Sequence, residues 1–143
     1  MRSYLLAFAI GLVLSWVLTP YVKKLAFRLG AVDKPNARKV HHTIMARLGG
    51  LAIYLGFMAG AITCMQLTKD VVGILVGGTI ITLVGIADDI FQLTAKAKLL
   101  GQIVAALVLV GFGVRIEWLN NPFGGYFYLD YLSIPFTVFW VVS

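Results

Sequence analysis

The chain has 143 residues, of which 60% are hydrophobic and 13% are charged, and its formal net charge is +6. Soluble domains carry about 25% charged residues, about twice the fraction found here. This low charge, together with a mean hydropathy of +0.92, excludes an ordinary soluble domain. The composition therefore predicts a membrane protein.

Four uncharged stretches have the length that membrane-spanning helices need, roughly 17–25 residues. They cover residues 3–22, 48–68, 71–87 and 99–114. A fifth apolar run begins near Leu132 and reaches Ser143, which is too short to cross roughly 30 Å of hydrocarbon. The predicted fold is all-α, a polytopic transmembrane helix bundle with four spans and the start of a fifth. We expect residues 1–143 to form a single membrane domain, the N-terminal fragment of a larger protein.

Charge sets the expected orientation. Residues 23–47 contain seven Lys or Arg residues and one acidic residue, Asp33, so this segment holds the whole net charge of +6. By the positive-inside tendency it faces the cytoplasm, which places the N-terminus outside and residues 88–98 on the same cytoplasmic face. The outer segment then carries aromatic side chains typical of an interfacial belt, with sugar binding as a second interpretation: Trp118, Tyr126, Phe127, Tyr128 and Tyr131.

Glycines recur four residues apart in the second and third predicted spans. The pairs are Gly56 with Gly60 and Gly73 with Gly77. This spacing lets helix backbones approach closely in lipid, so both spans are predicted to be packed against other helices.

Residues 31–50, AVDKPNARKVHHTIMARLGG, combine turn residues with many hydrogen-bond donors. Asp33, Pro35 and Asn36 favour a turn, and Gly49 and Gly50 stand where a helix N-terminus would favour an anion. Basic segments of this kind often anchor to anionic headgroups. The mixture of Arg, Lys, His and Asn also suits a phosphate-rich ligand. A zinc site on His41 and His42 is disfavoured, because adjacent histidines project differently and no cysteine or carboxylate cluster accompanies them.

Asp88 and Asp89 lie at the cytoplasmic end of the third span, and carboxylates at membrane depth indicate function. Adjacent helical residues point roughly 100° apart, so either the helix ends here or the two carboxylates act separately. They suit magnesium, which one or two carboxylates commonly hold together with substrate phosphates. A purely structural alternative pairs them with Lys96 and Lys98.

Lys98 and Gln102 are four residues apart and therefore share a helix face at the start of the fourth span. Together with the basic segment and the two aspartates, they predict phosphate chemistry at one face of the membrane. Two other classes stay open: a secondary transporter that moves protons or cations through an interrupted helix, and a non-catalytic membrane subunit that recruits anionic lipid.

Two ordered motifs, VDKPNARKVHHTI…RLGG and GIADDIFQLTAKAKLLGQ, resemble the first two cytoplasmic signatures of the polyprenyl-phosphate N-acetylhexosamine 1-phosphate transferases. The first motif is similar to that of the bacterial branch that uses UDP-N-acetylglucosamine and starts teichoic acid, O-antigen and lipopolysaccharide synthesis. The resemblance implies transfer of N-acetylglucosamine 1-phosphate to undecaprenyl phosphate with release of UMP. It implies Mg²⁺ as the cofactor, with Mn²⁺ as a substitute. It also implies a multi-pass protein of the bacterial cytoplasmic membrane that contacts membrane lipid and has its active site on the cytoplasmic face. A homodimer is compatible with it, and no nucleic-acid partner is expected.

The resemblance also implies roles for individual residues. The implied catalytic residues are Asp88, Asp89 and Lys98, and the implied metal ligands are Asp89 and Asp88. The implied substrate-binding residues are Asp33, Lys34, Asn36, Arg38, Lys39, His41, Arg47, Gly49, Gly50 and Gln102. Ala46 stands where the family usually has proline. The family's third signature and its histidine-rich loop would lie beyond Ser143, so residues 1–143 alone are expected to be inactive.

Overall fold

The computed structural model describes residues 2–33, 44–121 and 124–143. Helices dominate these ranges: α1 (Arg2–Leu29), α2 (Gly49–Cys64), α3 (Lys69–Phe91), α4 (Ala95–Gly111) and α5 (Ser133–Val142). Two short antiparallel ribbons pair β1 (Val32–Asp33) with β2 (Met45–Ala46) and β3 (Trp118–Asn120) with β4 (Tyr126–Tyr128). The helical content confirms the predicted all-α membrane fold, and the two ribbons were not predicted.

Two of the helices are long and apolar enough to cross a membrane, α1 and α3. Gly49–Cys64 and Asp130–Val142 are shorter apolar helical segments. Many large apolar side chains are exposed, including Trp16 at 79% and Phe91 at 74%, as expected where lipid replaces water. The number of spans and the orientation stay predictions.

The helices do not end where the uncharged stretches end. Helix α1 continues past residue 22 to Leu29, with Val22 and Ala26 buried while Lys23 and Lys24 are exposed. This last part of α1 is amphipathic, so it continues as a helix beyond the apolar run.

The described residues divide into two compact units. Unit 1 comprises Met1–Gln66 and Gly85–Leu93, and unit 2 comprises Leu67–Val84 and Thr94–Ser143. Helix α3 contributes its first part to unit 2 and its last turns to unit 1.

In unit 1, α1 packs along α2 through the predicted glycines. A Cβ added at Gly56 would collide with the Ser15 side chain and would stand 2.5 Å from the Gly11 carbonyl oxygen. One added at Gly60 would stand 2.7 Å from the Ala7 carbonyl oxygen. Both distances are shorter than a van der Waals contact, so the close approach of the two backbones depends on glycine and the prediction is confirmed.

Pro20 lies inside α1, where it has no N–H to donate to the Trp16 carbonyl. Hydroxyls nearby bond to backbone carbonyls on both helices. Thr19 Oγ1 donates to the Ser15 carbonyl at 2.6 Å, and Ser15 Oγ donates to the Ala52 carbonyl of α2 at 3.2 Å. The α1–α2 pair is therefore joined by a polar contact as well as by glycine packing.

In unit 2, the two glycines of α3 face side chains of α4 and of Phe112, which follows α4, instead of backbone carbonyls. A Cβ at Gly73 would stand 2.5 Å from Phe112 Cβ, and one at Gly77 would stand 2.8 Å from Leu109 Cγ. The second glycine pair therefore also serves helix packing, as predicted.

The β3–β4 hairpin of unit 2 is fixed to the first turns of α5 by two buried hydroxyls. The Ile116 N–H donates to Thr137 Oγ1 at 2.8 Å, and Ser133 Oγ donates to the Ile116 carbonyl at 2.7 Å. Ser133 and Thr137 are each only 3% exposed. Both backbone groups of Ile116 are thus satisfied by α5, which sets the position of the hairpin relative to that helix.

Candidate functional site

Residues 31–50 are called the basic segment from here on. The β1–β2 ribbon pairs a stretch near its beginning with a stretch near its end. Val32 pairs with Ala46 and Asp33 with Met45, and the Arg47 N–H donates to the Ala31 carbonyl at 3.0 Å. An Arg47 terminal nitrogen donates to Asp33 Oδ1 at 3.3 Å. The two candidate binding residues Asp33 and Arg47 are therefore brought together. Ala46, which directly precedes Arg47, is the last residue of β2.

Six further predicted residues of the basic segment lie outside the described residues. They are Lys34, Pro35, Asn36, Arg38, Lys39 and His41. Their roles stay predictions.

Gly49 and Gly50 are the first two residues of α2, as the sequence predicted for a helix N-terminus. The preceding residue, Leu48, is 2% exposed and contributes an apolar side chain rather than a capping group. Both glycines are exposed, and an added Cβ at either would meet nothing within 4 Å. Packing among the described residues therefore does not require glycine at these two positions.

Asp88 and Asp89 lie in the final turns of α3, which continues to Phe91. The Gln92 N–H donates to the Asp88 carbonyl at 2.8 Å, and Gln92 has a positive φ of 52°, a conformation that commonly ends a helix. Both carboxylate residues are half-buried. Because the helix does not end at the aspartates, their side chains diverge by roughly 100°, which favours separate roles.

The neighbours of the aspartates fix the position of this helix end in unit 1. Ile86 and Ile90 pack against a buried cluster. The cluster consists of Val22, Ala26, Ala31, Leu48 and Ala52. Ala31 directly precedes β1 and Leu48 directly precedes α2, so the cluster lies at the base of the basic segment. Asp88 and Asp89 therefore lie at the same end of unit 1 as Ala31 and Leu48, which lie near the two ends of the basic segment.

The carboxylates provide a limited donor set for a metal. Among the residues that the structure describes, no group of three or more His, Cys, Asp and Glu side chains is arranged to hold an ion. Two half-buried aspartates suit Mg²⁺, which commonly binds one or two carboxylates and takes its other ligands from water and phosphate. The residues present thus fit an ion that the substrate helps to hold.

Lys98 and Gln102 belong to unit 2 and lie on α4. Thr94 caps this helix, its side chain accepting from the Ala97 N–H at 3.4 Å. Lys98 and Gln102 are both half-buried and four residues apart, whereas Lys96 is exposed. The predicted common helix face of Lys98 and Gln102 is confirmed.

A cleft of about 340 Å³ adjoins the base of the basic segment in unit 1. Its walls are mainly apolar, from residues such as Val22, Leu48 and Ala52, and Lys23 contributes a cation. This combination suits an anionic amphiphile. In the sequence, Lys23 is one of the seven basic residues of residues 23–47 that indicate topology. The burial of Val22 beside it cannot be derived from composition.

Comparison with known proteins agrees with these features. The family model described as glycosyl transferase family 4 matches residues 71–143. The chain is 41% identical, over its whole length, to the Bacillus subtilis protein named "Probable undecaprenyl-phosphate N-acetylglucosaminyl 1-phosphate transferase", of which it covers 40%. It is 40% identical, over 79% of its length, to the Mycobacterium leprae decaprenyl-phosphate N-acetylglucosaminephosphotransferase, of which the match covers 31%.

A more distant relative is the Yersinia pestis undecaprenyl-phosphate alpha-N-acetylglucosaminyl 1-phosphate transferase. It is 29% identical over 71% of the chain, and the match covers 28% of that protein. The chain thus spans 40% or less of the length of these curated relatives. No solved structure matches it. The family model and the relatives confirm the resemblance seen in the two motifs: the chain belongs to glycosyl transferase family 4.

Proposed function

We propose that the whole protein transfers N-acetylglucosamine 1-phosphate from UDP-N-acetylglucosamine to undecaprenyl phosphate, and that this chain supplies two of the segments that form the site. One observation carries the proposal. Ile86 and Ile90, which flank the two aspartates, pack on the cluster at the base of the basic segment. Carboxylates suited to a metal are therefore held at the same end of unit 1 as Arg47, a cation suited to phosphates that directly precedes Leu48 of the cluster.

In the proposed reaction an oxygen of the lipid phosphate attacks the β-phosphorus of the nucleotide sugar. The bond from that phosphorus to the oxygen bridging it to the α-phosphate breaks, and UMP leaves with the electron pair. Positioning and charge neutralisation provide most of the rate in phosphoryl transfer. Arg47 and the other cations of the basic segment would bind the phosphates, and Lys98 would offset negative charge that develops in the transition state.

The two aspartates divide the remaining work. Asp88 accepts a proton from the lipid phosphate, and Asp89 holds Mg²⁺ or its waters. Mg²⁺ or Mn²⁺, when bound, would supply positive charge to the diphosphate of the donor. Their divergence on α3 supports this division, because adjacent helical side chains cannot readily chelate one ion together.

The proposed topology follows from charge. Four spans and the start of a fifth cross a bacterial cytoplasmic membrane, with the N-terminus outside and the basic segment and the aspartates inside. The product would be the first lipid-linked intermediate of a cell-envelope polymer, of the teichoic acid or O-antigen type. The mainly apolar cleft beside Lys23 supports an amphiphilic substrate at this membrane surface.

The secondary-transporter alternative predicts discontinuous helices and carboxylates near the bilayer midplane. Helix α3 is continuous from Lys69 to Phe91, and its aspartates lie in the last turns. The subunit alternative predicts that Arg38→Lys is harmless, whereas phosphate recognition by a planar guanidinium predicts a loss.

The decisive experiment uses the full-length protein that contains this chain. UMP release is measured with UDP-N-acetylglucosamine, undecaprenyl phosphate and Mg²⁺. We expect Asp88→Asn and Asp89→Asn each to lower kcat by about 100-fold or more. Asp70→Asn, an exposed aspartate at the other end of α3, is the matched control and should keep wild-type activity. Full activity in both variants, or no UMP from the wild type with any UDP-sugar, would overturn the proposal.

A further inference from the structure

Unit 2 contains a cavity between the β3–β4 hairpin and α5, and none of the residues that line it is assigned above to transfer. Its volume is about 650 Å³. The residues that matter for its chemistry are Arg115, Glu117, Tyr128, Asp130, Tyr131 and Ile134.

The cavity holds one more carboxylate than cation. Arg115 Nε donates to Glu117 Oε1 at 3.0 Å, which uses one of the five N–H groups of the guanidinium and leaves the others for a second anion. Asp130 adds a carboxylate beside this pair. A ligand that brings both an anion and a cation would therefore leave fewer charges uncompensated than a ligand of either sign alone.

Two tyrosines, Tyr128 and Tyr131, line the cavity together with Asp130. Tyr128 is 74% exposed and Tyr131 is 99% exposed. A carboxylate together with tyrosine faces is a favourable environment for an ammonium group. A guanidinium is the side chain best suited to a phosphate, because it can donate two parallel hydrogen bonds.

The position of the cavity limits the source of such a ligand. The hairpin is held against α5 through Ile116, Ser133 and Thr137, and α5 continues from the cavity as an apolar helix. Ile134 lines the cavity, and Val138 and Val141, which follow it by four and seven residues on the same face of α5, are half-buried. A polar head in the cavity would thus have apolar helix surface available for attached acyl chains.

We propose that this cavity binds the headgroup of an amine-bearing zwitterionic phospholipid, of the phosphatidylethanolamine type. The phosphate lies on Arg115, the ammonium lies between Asp130 and the tyrosine rings, and the acyl chains extend along α5. Charge complementarity selects this occupant over anionic lipids, which would leave Asp130 without a counter-charge.

The test uses the full-length protein in detergent, with bound lipids counted by native mass spectrometry. Phosphatidylethanolamine is compared with its N-acetyl derivative, which lacks the ammonium, and with phosphatidylglycerol. For the wild type we expect the N-acetyl lipid and phosphatidylglycerol each to have an apparent Kd about tenfold higher than that of phosphatidylethanolamine, because each lacks one charged contact. Asp130→Asn should raise the apparent Kd of phosphatidylethanolamine by about the same factor and leave the apparent Kd of the N-acetyl lipid unchanged.

Asparagine is chosen at position 130 because this residue has a φ of +37°, which Asn tolerates as Asp does. Arg115→Gln should weaken the binding of all three lipids, because each carries the phosphate that lies on Arg115. Asp70→Asn and Lys69→Gln are the matched controls for Asp130→Asn and Arg115→Gln, and neither should change lipid binding. A soluble competitor, glycerophosphoethanolamine, should displace the lipid poorly. The proposal would be overturned if all three lipids bound equally well, or if the control variants lost as much binding as Asp130→Asn and Arg115→Gln. It would also be overturned if the soluble headgroup bound as tightly as phosphatidylethanolamine.

Discussion

Arg47 donates to the Asp33 carboxylate at 3.3 Å and so joins the residues on either side of the β1–β2 ribbon. Their side chains are 35% and 32% exposed. A pair in this setting contributes about 0–1 kcal/mol to stability. Its larger consequence is geometric, because the same two residues stand at the ends of the segment proposed to bind phosphates.

We therefore expect Arg47→Gln and Asp33→Asn to leave the thermal unfolding temperature of the full-length protein nearly unchanged. Each should raise the KM for the UDP-sugar two- to fivefold, as for an exposed pair of up to about 1 kcal/mol. The exchange Asp33→Arg with Arg47→Asp should not recover the loss, because it restores the pair but removes the cation at position 47 that is proposed to bind phosphate. An exchanged variant that recovers most of the loss would show that Arg47 acts through the pair and not on substrate directly.

Asp88 and Asp89 should respond differently to metal, since their side chains diverge on α3. Asp89→Asn is expected to raise the Mg²⁺ concentration at half-maximal rate by about tenfold, corresponding to roughly 1.4 kcal/mol of ion binding. Asp88→Asn should lower kcat with that concentration unchanged. Mg²⁺ titrations of UMP release check this split, and identical shifts in both variants would contradict it.

Lys98 and Lys96 provide a comparison within one helix turn of α4. Lys98 is half-buried and Lys96 is exposed. We expect Lys98→Gln to lower kcat/KM by at least about tenfold, because a cation near a developing phosphate charge acts most strongly where water is excluded. Lys96→Gln should change it less than twofold. Equal effects of the two substitutions would argue against a specific role for Lys98.

The glycine contacts of α1 and α2 can be tested by stability. Gly56→Ala places a Cβ against the Ser15 side chain and the Gly11 carbonyl, and we expect a destabilisation of about 1–3 kcal/mol from overpacking. Gly85→Ala in α3 is the control, since an added Cβ there meets nothing within 4 Å. It should be neutral or stabilising by up to about 1 kcal/mol. Thermal unfolding of the two variants in one detergent compares them directly.

The attachment of the hairpin to α5 makes a further prediction. Thr137→Val removes the acceptor of the Ile116 N–H, and an unpaired buried amide costs about 1–3 kcal/mol. Thr63→Val removes an exposed hydroxyl that bonds only within its own helix and should change the unfolding temperature little. Hydrogen exchange at Ile116 should rise in the first variant alone, and unchanged exchange there would contradict the assignment.

Hydropathy predicted the helices because long apolar runs have few alternatives in lipid. It did not predict where they end. Helix α1 reaches Leu29, and two residues on one side of this part are buried: Val22, the last residue of the apolar run, and Ala26, four residues beyond it. Burial against another element is not visible in a window average. The four-residue glycine spacing was more informative, since both pairs do lie at helix contacts.

The ribbons show what was overlooked and what could not be predicted. The stretch WLNNPFGGYFY has turn residues between aromatic residues, which is a hairpin signal. Its aromatic residues are interpreted above as an interfacial belt or a sugar-binding surface, and the hairpin is overlooked. Val32–Asp33 and Met45–Ala46 are too short to show an alternating pattern. For the site, the motifs identified Asp88 and Asp89, but only the structure shows that Ile86 and Ile90 hold them at the base of the basic segment.

The cluster that Ile86 and Ile90 complete also has an order of formation. Val22, Ala26, Ala31, Leu48 and Ala52 all belong to α1, α2 and the residues between them, which are near neighbours along the chain. Contacts between close neighbours form early, and chains are synthesised from the N-terminus. The α1–α2 hairpin can therefore fold during synthesis, before α3 emerges. The aspartates would then reach a surface that is already in place, so that damage to the Gly56 contact would impair their placement without altering either carboxylate.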